Sequence, residues 1–230
     1  VSGGVSHDKI VAQIVCGPHY RDGYNVAVAA AVRKVVSVPV MVVGRIHDPA
    51  FAERIIADGD ADMVAMARPL LADPELPVKV LSGRTKEIRR CLSCQNCIDS
   101  MLIAPFDANM NCAVNAQSGR EGELAITPAA VRKRVLVIGG GPAGMEAARV
   151  AALRGHAVRL VERDGRLGGS LFHASIVHAD NQRLLDYLLG AMSRLPVTVE
   201  LGRALAPGEC ADADAVVVAT GAMMVRPVIP

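Results

Sequence analysis

The apolar positions of this chain fall into two kinds of run. Short unbroken runs occupy 39–43, 62–67, 134–138, 156–161, 197–201 and 214–219, each bounded by glycine, proline or a charged residue. Apolar runs of that length without alternation predict parallel strands buried on both faces. Between them lie stretches of helical spacing. Residues 25–36 carry alanine and valine and end in Arg33 and Lys34, which suit a helix C-terminus. Asp48-Pro49 supplies an N-cap and a first-turn proline for a helix to about Ala57. Asp73-Pro74 caps another. Residues 145–153 are strongly helix-forming and stop at Gly155, and leucines at 184, 185, 188 and 189 mark a further helix.

Strand, loop and helix in repetition give an α/β fold of three segments. Residues 1–90 read as the C-terminal βα units of a TIM barrel. Residues 91–131 form a four-cysteine segment and linker. Residues 132–230 open a Rossmann-like dinucleotide domain. Val1-Ser-Gly-Gly reads as the end of a strand, so the chain is expected to be a piece of a longer protein, inactive alone. An insertion that binds NAD(P) and the close of the FAD domain would follow Pro230.

Composition fits this layering. The chain has 230 residues, of which 51% are hydrophobic but only 3% aromatic, so its core must be aliphatic. A net charge of +2 gives no argument for nucleic acid or an anionic membrane. No apolar run reaches transmembrane length, and no signal peptide is evident. Arg132-Lys133-Arg134 reads as a solvated flank.

Four of the six cysteines cluster as Cys91-Leu-Ser-Cys94-Gln-Asn-Cys97 and Cys112. Three close thiols and one distant one suit an iron–sulfur cluster better than zinc, which favours two separated pairs. Structural zinc and unliganded thiols are the alternatives. A thiolate cluster fits a reducing cytoplasm. Asn96, Asp99, Asn109 and Asn111 make the segment polar and loop-rich, with little to pack unless a metal orders it. No histidine falls at ligand spacing nearby. Cys16 and Cys210 stand alone and are expected to be buried.

In barrels of this type the last two βα loops often hold a phosphate. Here they are Gly44-Arg45 and Ala67-Arg68. Glycine admits backbone N–H groups and arginine adds a charge-assisted contact; the alternative is that both arginines are surface charges. Further on, the strand 134–138 runs into Gly139-Gly-Gly141-Pro142-Ala143-Gly144. This glycine fingerprint between strand and helix, with Glu162 closing the next strand, predicts a bound dinucleotide, the acid accepting from the ribose. Arg163 could suggest a 2′-phosphate, which Glu162 would repel, so FAD or NAD is preferred. Gly168-Gly169 form a tight turn, and 214–219 is expected as a buried strand before Thr220 and Gly221.

The chain resembles the NADH:flavin oxidoreductase family of the old-yellow-enzyme type, in the multidomain branch of 2,4-dienoyl-CoA reductase and trimethylamine dehydrogenase. The matching stretches are Val43-Gly-Arg-Ile-His-Asp-Pro49, Ala67-Arg-Pro-Leu-Leu-Ala-Asp-Pro74, the cysteine run, Asn111-Cys-Ala-Val-Asn115, residues 135–149 and Ala219-Thr-Gly221. The resemblance implies an FMN phosphate at Gly44, Arg45, Ala67 and Arg68. It implies a [4Fe–4S] cluster on Cys91, Cys94, Cys97 and Cys112. FAD, or ADP alone, would lie on Gly139, Gly141, Pro142, Ala143, Gly144, Glu162, Arg163, Gly169, Thr220 and Gly221. The cysteine spacing is closer to the amine-dehydrogenase branch. Electrons would pass between an organic substrate at FMN, the cluster, and FAD with NAD(P)H or an electron-transfer protein. Substrate and proton-transfer residues would lie mostly before Val1, and a homo-oligomer is conceivable. The competing reading is a non-catalytic nucleotide-binding module with a structural zinc.

Overall fold

The computed structural model describes residues 1–3, 14–103, 110–206 and 208–222. They form two compact units, Val1–Ala125 and Ile126–Pro230. The cysteine segment belongs to the first.

In the first unit, helix α1 (Val26–Arg33) precedes strand β1 (Met41–Val42), helix α2 (Pro49–Ala57) and strand β2 (Met63–Val64). The strands pair in parallel, Met41 opposite Met63 and Val42 opposite Val64. The carbonyl of Val1 accepts from the Val43 N–H at 3.2 Å, so the chain start flanks β1 on its far side. Ala29, Val40, Val42, Ile46, Ile55 and Ala61 form the core between helices and strands. Asp48 caps α2 as expected, accepting from the Ala50 N–H at 3.0 Å.

The next turn departs from expectation. Ala67 and Arg68 were expected in a loop, but they open helix α3 (Ala67–Ala72). Proline at the third helical position costs no intrahelical bond, because its N–H would be unsatisfied there in any case. Helix α4 (Leu76–Leu81) follows. Asp73 was expected to cap it, but the N-cap is Glu75, which makes no side-chain cap bond, and Asp73 instead closes α3 as its C-cap. Its buried carboxylate accepts from Lys79 Nζ at 2.7 Å, from the Glu75 N–H at 3.1 Å and from the Arg89 N–H at 2.8 Å. The Arg89 side chain returns a bond to the Ala72 carbonyl at 2.8 Å. This network pins 88–91 against α3 and so delivers Cys91.

In the second unit, β3 (Arg134–Ile138), helix α6 (Pro142–Leu153), β4 (Ala157–Val161), α7 (Gly169–Val177), α8 (Asp180–Arg194), β5 (Val197–Glu200) and β6 (Ala215–Val218) follow helix α5 (Asn96–Ile103) of the first unit. The four strands are parallel, ordered β5-β4-β3-β6. Met145, Ala148, Leu160, Leu185, Leu188 and Ala191 join α6 and α8 to one face of the sheet. The last strand was expected to be buried. It is an edge strand instead, with Val216, Val217 and Val218 exposed, because among the described residues β3 alone pairs with it. Cys210, also expected to be buried, is half-exposed in the turn before β6. Among the described residues no helix is long and apolar enough to cross a membrane.

Candidate functional site

The loop after β1 and the start of α3 meet at a cavity of about 290 Å³, lined among others by Gly44, Arg45, His47, Ala67, Arg68 and Cys97. The cavity wall is mostly apolar, with Val43, Ile46, Met66 and Leu71 contributing. Arg45 is buried, not a surface charge. It adopts a left-handed φ of 47°, its Nη2 lies 2.9 Å from Asp22, and its Nη1 donates to the Gly17 carbonyl at 2.9 Å. Arg68 donates to the Cys16 carbonyl at 2.9 Å. Both guanidinium groups are therefore fixed within the walls. Gly44 is needed for a reason the sequence did not suggest. A side chain there would meet Asn25 Nδ2 at 2.8 Å, and Asn25 in turn donates to the Val43 carbonyl at 2.7 Å, holding the loop shut from behind.

The four cysteines surround a second, smaller hollow, with Arg68, Leu71, Leu92 and Val114 in its walls. Arg68, Leu71 and Cys97 line both hollows. The local structure explains how the spacing wraps. Ser93 and Gln95 take left-handed φ values of 54° and 63°, which turns the chain sharply on either side of Cys94. The Gln95 carbonyl then accepts from the Ile98 and Asp99 N–H groups at 2.8 and 3.0 Å, starting α5 with Cys97 in its first turn. Cys112 returns to the same place because Ser100 Oγ accepts from the Asn111 N–H at 2.9 Å. Asn115 is buried and donates to the Leu71 carbonyl at 2.9 Å, closing the return on α3. The segment is thus packed by protein contacts of its own, contrary to the expectation that little here would pack. Asn109 lies outside the described residues.

Burial pushes the Cys91 thiol up from its ordinary range, opposed by the Ser93 amide and the Arg68 charge. Cys97 is raised for the same leading reason. A metal would have to displace those protons. Among the described residues, no three His, Cys, Asp or Glu side chains converge closely enough for one metal ion. A tetrahedral zinc needs sulfurs at about 2.3 Å from a common centre. Four thiols around one hollow are the donor set that an iron–sulfur cluster would also require.

One feature was missed in the sequence. Buried His47 lies against buried Ser93, Nε2 to Oγ at 2.7 Å, and the Ser93 N–H donates to Cys91 Sγ at 3.3 Å. The two residues are 46 positions apart, so no local spacing could reveal the pair.

In the second unit the glycine fingerprint takes the expected place between β3 and α6. Each glycine has a separate reason. A side chain at Gly139 would strike the Ala219 carbonyl, and one at Gly144 the Gly139 carbonyl, so these two permit close packing. At Gly141, the N-cap of α6, a side chain would meet nothing within 4 Å. That open face is where a pyrophosphate would approach the helix N-terminus. Gly168 donates to the Gly140 carbonyl at 2.9 Å, and Gly169, with φ of 50°, packs on Gly141. Glu162 is buried. Its Oε2 accepts from the Gly140 N–H at 2.5 Å and its Oε1 from the Asp164 N–H at 2.8 Å. Arg163 is exposed, 3.8 Å from Asp164. Pro142 and Ala143 form the first turn of α6. Thr220 and Gly221 come after β6 and Ala219, and the Ala219 carbonyl lies against Gly139 of the fingerprint.

Residues 11–87 match the NADH:flavin oxidoreductase / NADH oxidase family, and residues 134–193 match the FAD dependent oxidoreductase family. Residues 11–87 are thus a segment of the NADH:flavin oxidoreductase type. It is 44% identical over 220 residues to the NADH oxidase of Thermoanaerobacter brockii, covering 90% of this chain and 33% of that one. Among solved structures, a 2-naphthoyl-CoA reductase in complex with 2-naphthoyl-CoA superimposes with a TM-score of 0.84 at 32% identity, over 94% of this chain and 33% of the other. Histamine dehydrogenase from Rhizobium sp. 4-9 gives a TM-score of 0.84 at 29% identity, over 90% and 31%. The chain spans about a third of the length of the relatives it matches. These relatives are named as oxidoreductases, and the names of the two matching families carry FMN for the stretch 11–87 and FAD for 134–193.

Proposed function

We propose that this chain carries the electron relay of an iron–sulfur flavoprotein oxidoreductase. The observation that supports it is the shared wall: Arg68, Leu71 and Cys97 border both the cavity at the phosphate loops and the cysteine hollow. Two redox groups in those hollows would be separated by one layer of side chains. FMN would occupy the larger cavity, its phosphate held at Gly44, Arg45, Ala67 and Arg68, and would exchange electrons in pairs with an organic substrate. A [4Fe–4S] cluster on Cys91, Cys94, Cys97 and Cys112 would accept them singly. FAD or ADP would lie on the Gly139–Gly144 loop, with NAD(P)H or a carrier protein completing the path.

The chain's own residues have defined tasks in this reading. Arg68 supplies positive charge to both hollows and lowers the cost of thiolates at Cys91 and Cys97. Leu71 and Val114 supply apolar wall to the cysteine hollow. Gly141 leaves room for the pyrophosphate, and Glu162 holds the loop that receives it. Reductases of thioesters and amine dehydrogenases both occur among the relatives, so the substrate would carry either an activated C=C bond or an oxidisable C–N bond.

The test is anaerobic reduction by NADH of the full-length protein that contains this sequence, followed by rapid freezing. The account expects the electron paramagnetic resonance signal of a reduced cluster to develop after the flavin absorbance falls. Flavin bleaching with iron present and no cluster signal would overturn the relay.

A further inference from the structure

The His47–Ser93 pair connects the two hollows in a way the relay itself does not require. His47 lies four residues after Val43, in the loop that carries Gly44 and Arg45, and lines the larger cavity. Ser93 sits between Cys91 and Cys94 and is fully buried. Its φ of 54° is a conformation that residues other than glycine seldom adopt unless their surroundings enforce it. The enforcing contact is that of His47 Nε2 with Ser93 Oγ at 2.7 Å, both side chains out of solvent. In that conformation the Ser93 amide points at Cys91 Sγ, 3.3 Å away.

An N–H donated to a cysteine sulfur draws negative charge from it. On a cluster ligand this favours the reduced state, and hydrogen bonds to sulfur are among the factors that set cluster potentials. The effect is strengthened where water is excluded, and Cys91 is 9% exposed. Ordering of ligands by such outer partners is general in metal sites.

We propose that His47 is a positioning residue for the cluster: by gripping the Ser93 hydroxyl it holds the Ser93 amide on Cys91 and so raises the cluster's reduction potential. The grip originates on the flavin-side loop, so the potential of one redox group is set from the wall of the other. This inference rests on the cluster reading above.

The test uses the full-length holoprotein, prepared anaerobically as wild type, His47→Ala, Ser93→Ala, the double variant and His47→Gln. Iron and acid-labile sulfide are assayed first, and the potential is then titrated with the reduced-cluster resonance signal as readout. The single variants should shift the potential downward by similar amounts. The double variant should shift no further than the larger single, because both remove one device. His47→Gln, which can still bond the hydroxyl, should recover part of the shift. A wild-type potential in fully loaded His47→Ala, or shifts that add in the double variant, would overturn the clamp. If both alanine variants lose the cluster and His47→Gln keeps it, the clamp is supported; loss from all three overturns it in favour of a general folding role. Wild-type protein without iron and sulfide would instead sink the cluster reading, and this inference with it.

Discussion

Glu162 and Gly140 are joined by a 2.5 Å hydrogen bond from the glycine amide to the carboxylate. A second bond, from the Asp164 amide, uses the other oxygen. The acid at the end of β4 therefore shapes the glycine loop before any nucleotide arrives. Replacing Glu162 with alanine should have two effects. Nucleotide affinity should fall, and the second unit should also lose about 1.5–3 kcal/mol, the usual worth of a hydrogen bond to a charged group. Urea unfolding and an FAD titration measure the two separately. A variant of unchanged stability would show that the loop holds itself.

The glycines of the fingerprint divide by what surrounds them. Gly144→Ala should destabilise the second unit by about 1–3 kcal/mol or more, since the new methyl group meets backbone that cannot step aside. Gly141→Ala should fold normally, because the added carbon meets open space and the φ of −73° suits any residue. It should nevertheless weaken FAD or ADP binding by at least tenfold. Thermal melts paired with nucleotide titration check the contrast. Equal stability losses at both positions would contradict it.

Arg68 borders both hollows, so one substitution should be felt twice. Arg68→Ala should reduce FMN retention on gel filtration and make the cluster more labile to air. Arg68→Lys should restore charge but not the fixed fork geometry, and so recover less than half of either property. An effect on one property alone would mean that the two sites are independent.

The edge strand of the second unit is tied down by charge. Asp214 accepts from the Arg134 amide at 2.8 Å and pairs with its guanidinium at 3.0 Å. These contacts lower the Asp214 carboxyl from 3.8 to about 2. A carboxylate depressed on folding stabilises the folded state above its unfolded pKa, and that contribution fades as pH falls from about 4 towards 2. The pair is exposed, so the effect is small. Asp214→Asn should be slightly less stable than wild type in the neutral region and converge with it towards pH 2, which flattens the acid limb over that window. Denaturation series at several pH values will show it, and an identical acid limb in the variant would refute the assignment.

Much of this was legible in local patterns. The apolar runs located every strand among the described residues, Asp48-Pro49 located α2, and the fingerprint located both β3 and α6. What escaped has common physical causes. The exposure of Val217 depends on which strands flank it, and its own run of valines does not encode that. Ala67 and Arg68 begin a helix because residues 69–72 continue it, where the βα pattern had suggested a phosphate loop. The packing of the cysteine segment rests on Asn115 reaching Leu71 and on His47 reaching Ser93. Such contacts join distant positions, and neither residue type announces them. The cysteine spacing was informative because ligands must converge on one small object, which restricts separation in sequence.

Metal analysis tests the central claim most directly. Wild-type protein and Cys94→Ser, both reconstituted anaerobically, are assayed for iron, acid-labile sulfide and zinc. Serine is a poor ligand for soft iron–sulfur chemistry. The account predicts about four irons and four sulfides per wild-type chain, with loss or degradation of the cluster in the variant. One zinc per chain without sulfide, or full iron content in Cys94→Ser, would contradict it.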